Sequence, residues 1–274
     1  MFRILKKSWS DACNQPFLLV VLFLYRFTWA FALFRIVKSH VVPLLSRYPD
    51  PGGPAGQTQL YLLEAQFRLG KTDLAAGYLS GLLLLLGIRM LLTPLLNAGV
   101  FYSLVHTRMG TGYRFFKGIQ AIGPVFFLYY AAQMILTLLP LVWILPPVHS
   151  LNDLNGILAD PGKYLFYGLA YAAYGYFIHL LFLHLQFGRT EKEPLVRTLL
   201  HLLASLLPVA GTALLLLVLS GLLSTGVLAA TLWDAGIWTF LLYQAYTFVR
   251  TFLSVWSITA QHRIFRLKAK AEAA

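Results

Sequence analysis

Six long apolar stretches punctuate the chain, at residues 16–36, 79–103, 124–145, 164–187, 208–227 and 237–260. Each is close to the roughly 20 residues that an α-helix needs to cross the hydrocarbon core of a bilayer. None alternates apolar with polar residues at a period of two, so a membrane β-barrel does not fit. The expected fold class is all-α: a polytopic membrane helix bundle, with about six transmembrane helices in three hairpins. Residues 1–15 are expected to form an amphipathic interfacial segment, 16–261 the six-helix transmembrane domain, and 262–274 a basic cytoplasmic tail. The fifth and sixth stretches are close in sequence and predict a tight hairpin.

Three of the stretches begin at a proline: Pro16, Pro124 and Pro208. Proline suits a helix's first turn, where its missing N–H has no partner to lose. Each is preceded by a segment that is amphipathic at helical period. In the first, Phe2, Leu5, Trp9 and Ala12 oppose Arg3, Lys6, Lys7 and Ser10. In the second, Phe115, Phe116, Ile119 and Ile122 oppose Arg114, Lys117 and Gly118. In the third, Leu195, Leu199, Leu202 and Leu206 oppose Arg197, Thr198, His201 and Ser205. Such segments are expected to lie in the membrane interface, apolar face down and cations towards phosphates. A unit of stub, proline, helix, outer loop and returning helix would then be used three times, as a weak structural repeat. The first outer loop, about 39–77, opens on a turn-forming run at 48–54 and continues into a candidate surface helix at 57–69. The third carries turn signals at Asn155-Gly156 and Asp160-Pro161-Gly162. Pro94 and Pro140, inside apolar stretches, should kink their helices.

Composition agrees with lipid as the solvent. The chain of 274 residues is 58% hydrophobic and 12% charged, where a soluble domain is about 45–50% apolar and about 25% charged. The net charge of +12 would suggest nucleic acid in a soluble protein. Here the cations lie between apolar runs, where they set topology and meet anionic lipid headgroups, and no nucleic-acid motif occurs. Counting Lys and Arg in alternate connections gives thirteen on one side of the six stretches and five on the other. The positive-inside rule places both termini in the cytoplasm of a cell inner (plasma) membrane, of bacterial type. Cys13 is the only cysteine, so no intrachain disulfide can form. The basic start and the apolar run from Pro16 lack a small-residue cleavage site, so they read as a retained first helix.

Candidate chemistry is sparse. Arg26, Arg89 and Arg250 lie deep in apolar runs with no carboxylate near the centre of any stretch. A charge there costs roughly 2.5–3.5 kcal/mol on insertion scales, so each needs a polar partner, water or the headgroups. The sharp expectation is a shared pocket for an anionic group, which the planar guanidinium suits. The plain one is that they bond to carbonyls, Gln133, Gln244 or tyrosine hydroxyls and lock the helices together. Tyr164, Tyr167, Tyr171 and Tyr174 form one stripe, beside Gly168, Ala172 and Gly175. Tyr167, Tyr171 and Tyr174 are candidates to line a cavity, or to pack with their hydroxyls bonded to neighbours. His179 and His184 are five apart, on different faces of a helix, and no H-E-x-x-H occurs, so no metal site is expected. No nucleophile elbow, P-loop, dinucleotide fingerprint or CxxC is present, so no catalytic residue and no cofactor is assigned.

Three short runs carry a resemblance: Leu92-Thr-Pro-Leu-Leu-Asn-Ala-Gly99, Gly112-Tyr-Arg-Phe-Phe-Lys-Gly118, and Arg250 through Trp256 to Ala260. With the six-stretch layout, they resemble bacterial six-helix integral membrane domains of unknown function. That group includes the membrane domain fused to some glycerophosphodiester phosphodiesterases; the 274 residues hold no such phosphodiesterase domain. The resemblance implies a non-enzymatic membrane protein that acts through lipid or protein contacts, and it implies no catalytic residues. A looser resemblance is to permease subunits of six-helix exporters, carried by the stub at 2–14 and a coupling-like segment at 106–123. It implies the alternative of a transport subunit that needs a separate ATPase subunit as partner.

Overall fold

A computed structural model describes residues 2–45, 74–144, 161–233 and 237–273. Among these residues there are eight α-helices and no strand. They are α1 (Phe2–Cys13), α2 (Pro16–Leu45), α3 (Leu74–Val105), α4 (Thr111–Ile144), α5 (Pro161–Glu191), α6 (Leu195–Ala204), α7 (Leu206–Trp233) and α8 (Ile237–Ala273). The surface helix expected at 57–69 and the turns at 48–54 and 155–156 lie outside the described residues. Among the described residues, five segments are long and apolar enough to cross a membrane: Pro16–Ile36, Leu79–Val105, Thr111–Leu141, Leu165–Glu191 and Leu206–Ala230. The stretch at 237–260 is not one of the five. It lies in the first part of α8, where Tyr243, Gln244, Tyr246, Thr247 and Arg250 dilute the apolar run.

The prolines divide into two kinds. Pro16 opens α2 and Pro161 opens α5, both at the first helical position. Pro208 falls at the third position of α7. A proline cannot donate to the carbonyl four residues back and its ring presses on that carbonyl. For Pro208 that residue is Ala204, the last of α6, so the chain breaks there and restarts at Leu206. Pro124 departs from the sequence expectation. It lies inside the continuous α4, as does Pro140, while Pro94 lies inside α3. The second amphipathic stub is therefore no separate interfacial segment but the opening turns of a spanning helix, and the expected repeat is interrupted there.

The reason is a close crossing of α3 and α4. A Cβ at Gly99 would run into the ring of Phe115, and one at Gly118 into the Tyr102 side chain and the Ala98 carbonyl. Small residues let two helices in lipid approach to backbone contact. That contact holds Phe115 buried and keeps the start of α4 upright against α3.

The chain folds as two compact units, residues Met1–Leu19 with Pro94–Ala274, and residues Val20–Thr93. In the larger unit, burial is concentrated in one half of each long helix. On α5, Leu180, Phe182, Leu183 and Phe187 are buried while Leu165, Phe166 and Leu169 are exposed. On α7, Val209 and Leu216 are buried while Leu222, Leu223 and Leu228 are exposed. On α8, Trp238, Leu241 and Leu242 are exposed while Val255, Ala260, Ile264 and Phe265 are buried. So many large exposed side chains on long helices fit contact with lipid and not with water. The packed halves share a core in which Leu180, Val209, Ala213 and Ile264 meet, with Leu5, Leu216 and Ala260 beside them.

The segment read as a basic tail from residue 262 is the last three turns of α8, with His262, Ile264 and Phe265 buried. Nothing interrupts the helix, and Ile264 and Phe265 carry its buried face one turn beyond Ala260 and Gln261.

In the smaller unit, the Tyr25 hydroxyl lies 3.0 Å from Thr93 Oγ1, and Thr93 Oγ1 donates to the Arg89 carbonyl at 2.7 Å. The Arg89 guanidinium sits 4.9 Å above the Trp29 ring.

Candidate functional site

The residues singled out from sequence fall in different places. Arg26 and Arg89 belong to the smaller unit and Arg250 to the larger. Arg26 is half-buried, while Arg89 and Arg250 are exposed. The cation–π contact with Trp29 gives Arg89 a partner that needs no anion. On α5, Tyr167 is exposed. Tyr171 donates its hydroxyl to the Thr137 carbonyl at 3.1 Å, and Tyr174 donates to the Leu136 carbonyl at 2.8 Å. Leu136 is four residues before Pro140, so its carbonyl is the one that the proline leaves without a helical donor. Tyr174 therefore supplies from α5 the hydrogen bond that α4 cannot make for itself, which is how proline is tolerated inside a membrane helix. Gln133 Nε2 lies 3.5 Å from His179 Nδ1, and Gln244 is half-buried on α8.

The densest polar arrangement lies elsewhere, where α1, the start of α4, the end of α5 and the last turns of α8 meet. Two carboxylates tie it together. Asp11 Oδ2 on α1 accepts Arg263 Nη2 at 2.7 Å and Nε at 3.1 Å. Glu191 Oε1, at the end of α5, accepts Arg266 Nε at 2.7 Å and lies 2.8 Å from His262 Nε2. Neutral bonds add to these. Trp256 Nε1 donates to the Leu5 carbonyl at 3.1 Å and to Ser8 Oγ at 3.2 Å, and Thr259 Oγ1 donates to the Ser8 carbonyl at 3.2 Å. Asp11 and Glu191 therefore join α1 and α5 to the same face of α8.

A cavity of about 520 Å³ opens among these groups. Its wall includes Asp11, Asn14 and Gln15 from the α1–α2 junction, and Arg114 from α4. The last turns of α8 add Thr259, His262, Arg263 and Arg266. Arg114 stands apart from the other two arginines. It is 4% exposed, and its hydrogen bonds go to two neutral acceptors, Gln15 Oε1 and the Thr107 carbonyl. Its Nε is buried without a partner.

Little of this cluster is marked in the sequence. The sequence assigns no role to Asp11 or Glu191, and His262, Arg263 and Arg266 fall in the segment expected as a basic tail. The available signal is spacing. His262, Arg263 and Arg266 fall on adjoining helical positions directly after an apolar run, with no glycine or proline to signal a stop. No step along the sequence joins Asp11 to Arg263, which are 252 residues apart. Among the described residues, no group of three or more His, Cys, Asp or Glu side chains comes together as metal ligands.

Among the described residues, five helices of spanning length and apolarity and no strand define a multi-pass membrane protein. No protein-family model, curated protein or solved structure matches this chain.

Proposed function

We propose that this is a non-enzymatic, multi-pass protein of the cell inner membrane that acts by contact with anionic lipid at its basic end. The first half of α8 serves as a sixth span, and both termini face the cytoplasm. The unequal division of Lys and Arg between alternate connections supports that orientation.

One observation carries the reading: two kinds of exposed helix face flank the end of α8. On α1, Arg3, Lys6 and Lys7 are exposed while Leu5 and Ala12 face the protein. On α6, Leu195, Val196, Leu199, Leu200 and Leu203 are exposed while Thr198 and His201 face the protein. An apolar helix face with no protein cover suits the boundary between acyl chains and headgroups. Exposed cations at that depth are each worth about 1 kcal/mol against an anionic leaflet.

Two measurements test this. A cytoplasm-active reporter fused after Ala274 should be active, and one that works only outside the cell should not. Native mass spectrometry from nanodiscs should show phosphatidylglycerol retained over phosphatidylcholine, with retention reduced by Lys6→Gln and Lys7→Gln together. Equal retention of the two lipids by the wild-type protein removes the reading.

A further inference from the structure

We infer that the cavity beside Arg114 binds one phosphoryl anion, with Arg114 as its seat. This deepens the lipid-contact reading and rests on it only for the source of the anion.

Charge balance singles out Arg114. The cavity wall and its immediate partners hold three arginines, Arg114, Arg263 and Arg266, and two carboxylates, Asp11 and Glu191. Asp11 is matched to Arg263, and Glu191 to Arg266. Arg114 is the cation left over, and it is the most deeply buried of the three. A buried charge with only neutral partners is costly, and an anion at hydrogen-bonding distance relieves that cost. Arg114 lines the cavity, and the planar fork of a guanidinium suits a phosphate or carboxylate.

The surroundings favour a phosphoryl group. A cavity of about 520 Å³ is within the range of small-ligand sites. It is far larger than a chloride needs and holds a headgroup. Asn14 on its wall carries an exposed side-chain amide for a further oxygen, while Thr259 and His262 already bond within the protein. Arg263 and Arg266 are each matched by a carboxylate, so the excess positive charge at the cavity is that of Arg114. One anion is therefore expected, and not a polyanion.

A phosphoryl anion has two sources, a lipid headgroup and free inorganic phosphate. The experiment uses the full chain. Inorganic phosphate is titrated in detergent, and phosphatidylglycerol adducts are counted by native mass spectrometry from phosphatidylcholine nanodiscs doped with phosphatidylglycerol. Arg114→Gln should weaken the bound probe roughly 10- to 100-fold, the loss expected for one charged hydrogen-bonded partner. Arg114→Lys should recover part of that, because charge remains and the fork is lost. If Arg114→Gln does not fold, Asn14→Trp fills the cavity from its exposed rim and should abolish the same binding. Saturable phosphate binding lost in these variants, with lipid adducts unchanged, assigns a soluble phosphate. Loss of one tightly held phosphatidylglycerol, with the remaining adducts intact, assigns the lipid. Wild-type protein that binds neither probe, or variants that bind both as the wild type does, overturns the site. A failure of the lipid-contact reading is distinguishable, because it removes general phosphatidylglycerol retention and leaves phosphate binding untouched.

Discussion

α1 and α6 are both short amphipathic helices placed just before a spanning helix, yet they dock in opposite senses. α1 turns its apolar side inward: Leu5 and Ala12 are buried, and Trp9 lies edge-on to Phe252 at 4.5 Å and to Trp256 at 4.8 Å. Its cations face out. α6 turns Thr198 and His201 inward together with Leu202, Ser205 is buried just after its end, and Leu195, Val196, Leu199, Leu200 and Leu203 face out. The expectation that both lay their apolar face on the membrane is thus corrected for both: the apolar side of α1 is packed on the protein, and α6 gives Thr198 and His201 to the protein while most of its leucines stay exposed. The cause is the surface each one meets. α1 meets the indole and phenyl rings of α8. α6 meets Gly188, whose missing side chain admits Thr198, and the edge of Phe265, 5.7 Å from His201. An amphipathic pattern fixes which residues share a face, but it does not say which solvent that face is given.

That contrast can be broken from either side. Trp256→Ala should have the largest effect, because it removes a large apolar contact and two hydrogen bonds to α1. A loss of about 2–4 kcal/mol is expected, read as thermal unfolding in detergent, with proteolysis becoming rapid within α1 but not α6. Gly188→Ala should cost about 1–3 kcal/mol, because the added methyl meets Thr198 and the neighbouring helix must move away. Proteolysis should then favour α6 over α1, and the reverse order would refute the opposed docking. Tyr174→Phe touches neither short helix and serves as an internal comparison. Leaving the Leu136 carbonyl without its donor should cost about 0.6–1.7 kcal/mol. Asp11→Asn should cost only about 0.2–1 kcal/mol, since the ion pair with Arg263 is partly exposed. Smallest of all, Leu200→Gln on the outer face of α6 should leave the stability in detergent within about 0.5 kcal/mol of wild type. It should still lower photolabelling of α6 by lipid probes.

Much of the fold is legible because hydrocarbon imposes a simple rule of length and apolarity, and five of the six expected stretches coincide with spans. Pro16 marks a true helix start. Pro124 misleads because proline at a first turn and proline inside a membrane helix look alike in sequence; the glycines at 99 and 118 decide between them, through a contact between two helices. The sixth stretch is ambiguous because α8 mixes Tyr, Thr, Gln and Arg into its apolar run, and its polar residues continue into the cluster on Asp11 and Glu191. The site is hidden for a different reason. Its acids and bases come from helices at opposite ends of the chain, and their value lies in pairing, which no local spacing records.

The turn that ends α5 ties two of these features to one strand of backbone. Lys192 has a φ of 63°, the left-handed cap that usually falls to glycine, and the Glu193 N–H returns to the Gly188 carbonyl at 2.9 Å. Gly188 is also the seat of α6, and Glu191, just before the cap, grips His262 and Arg266. The seat of α6 and the carboxylate that holds His262 and Arg266 on the wall of the Arg114 cavity therefore lie within one helical turn of the same backbone, so a change at Gly188 is placed to disturb both.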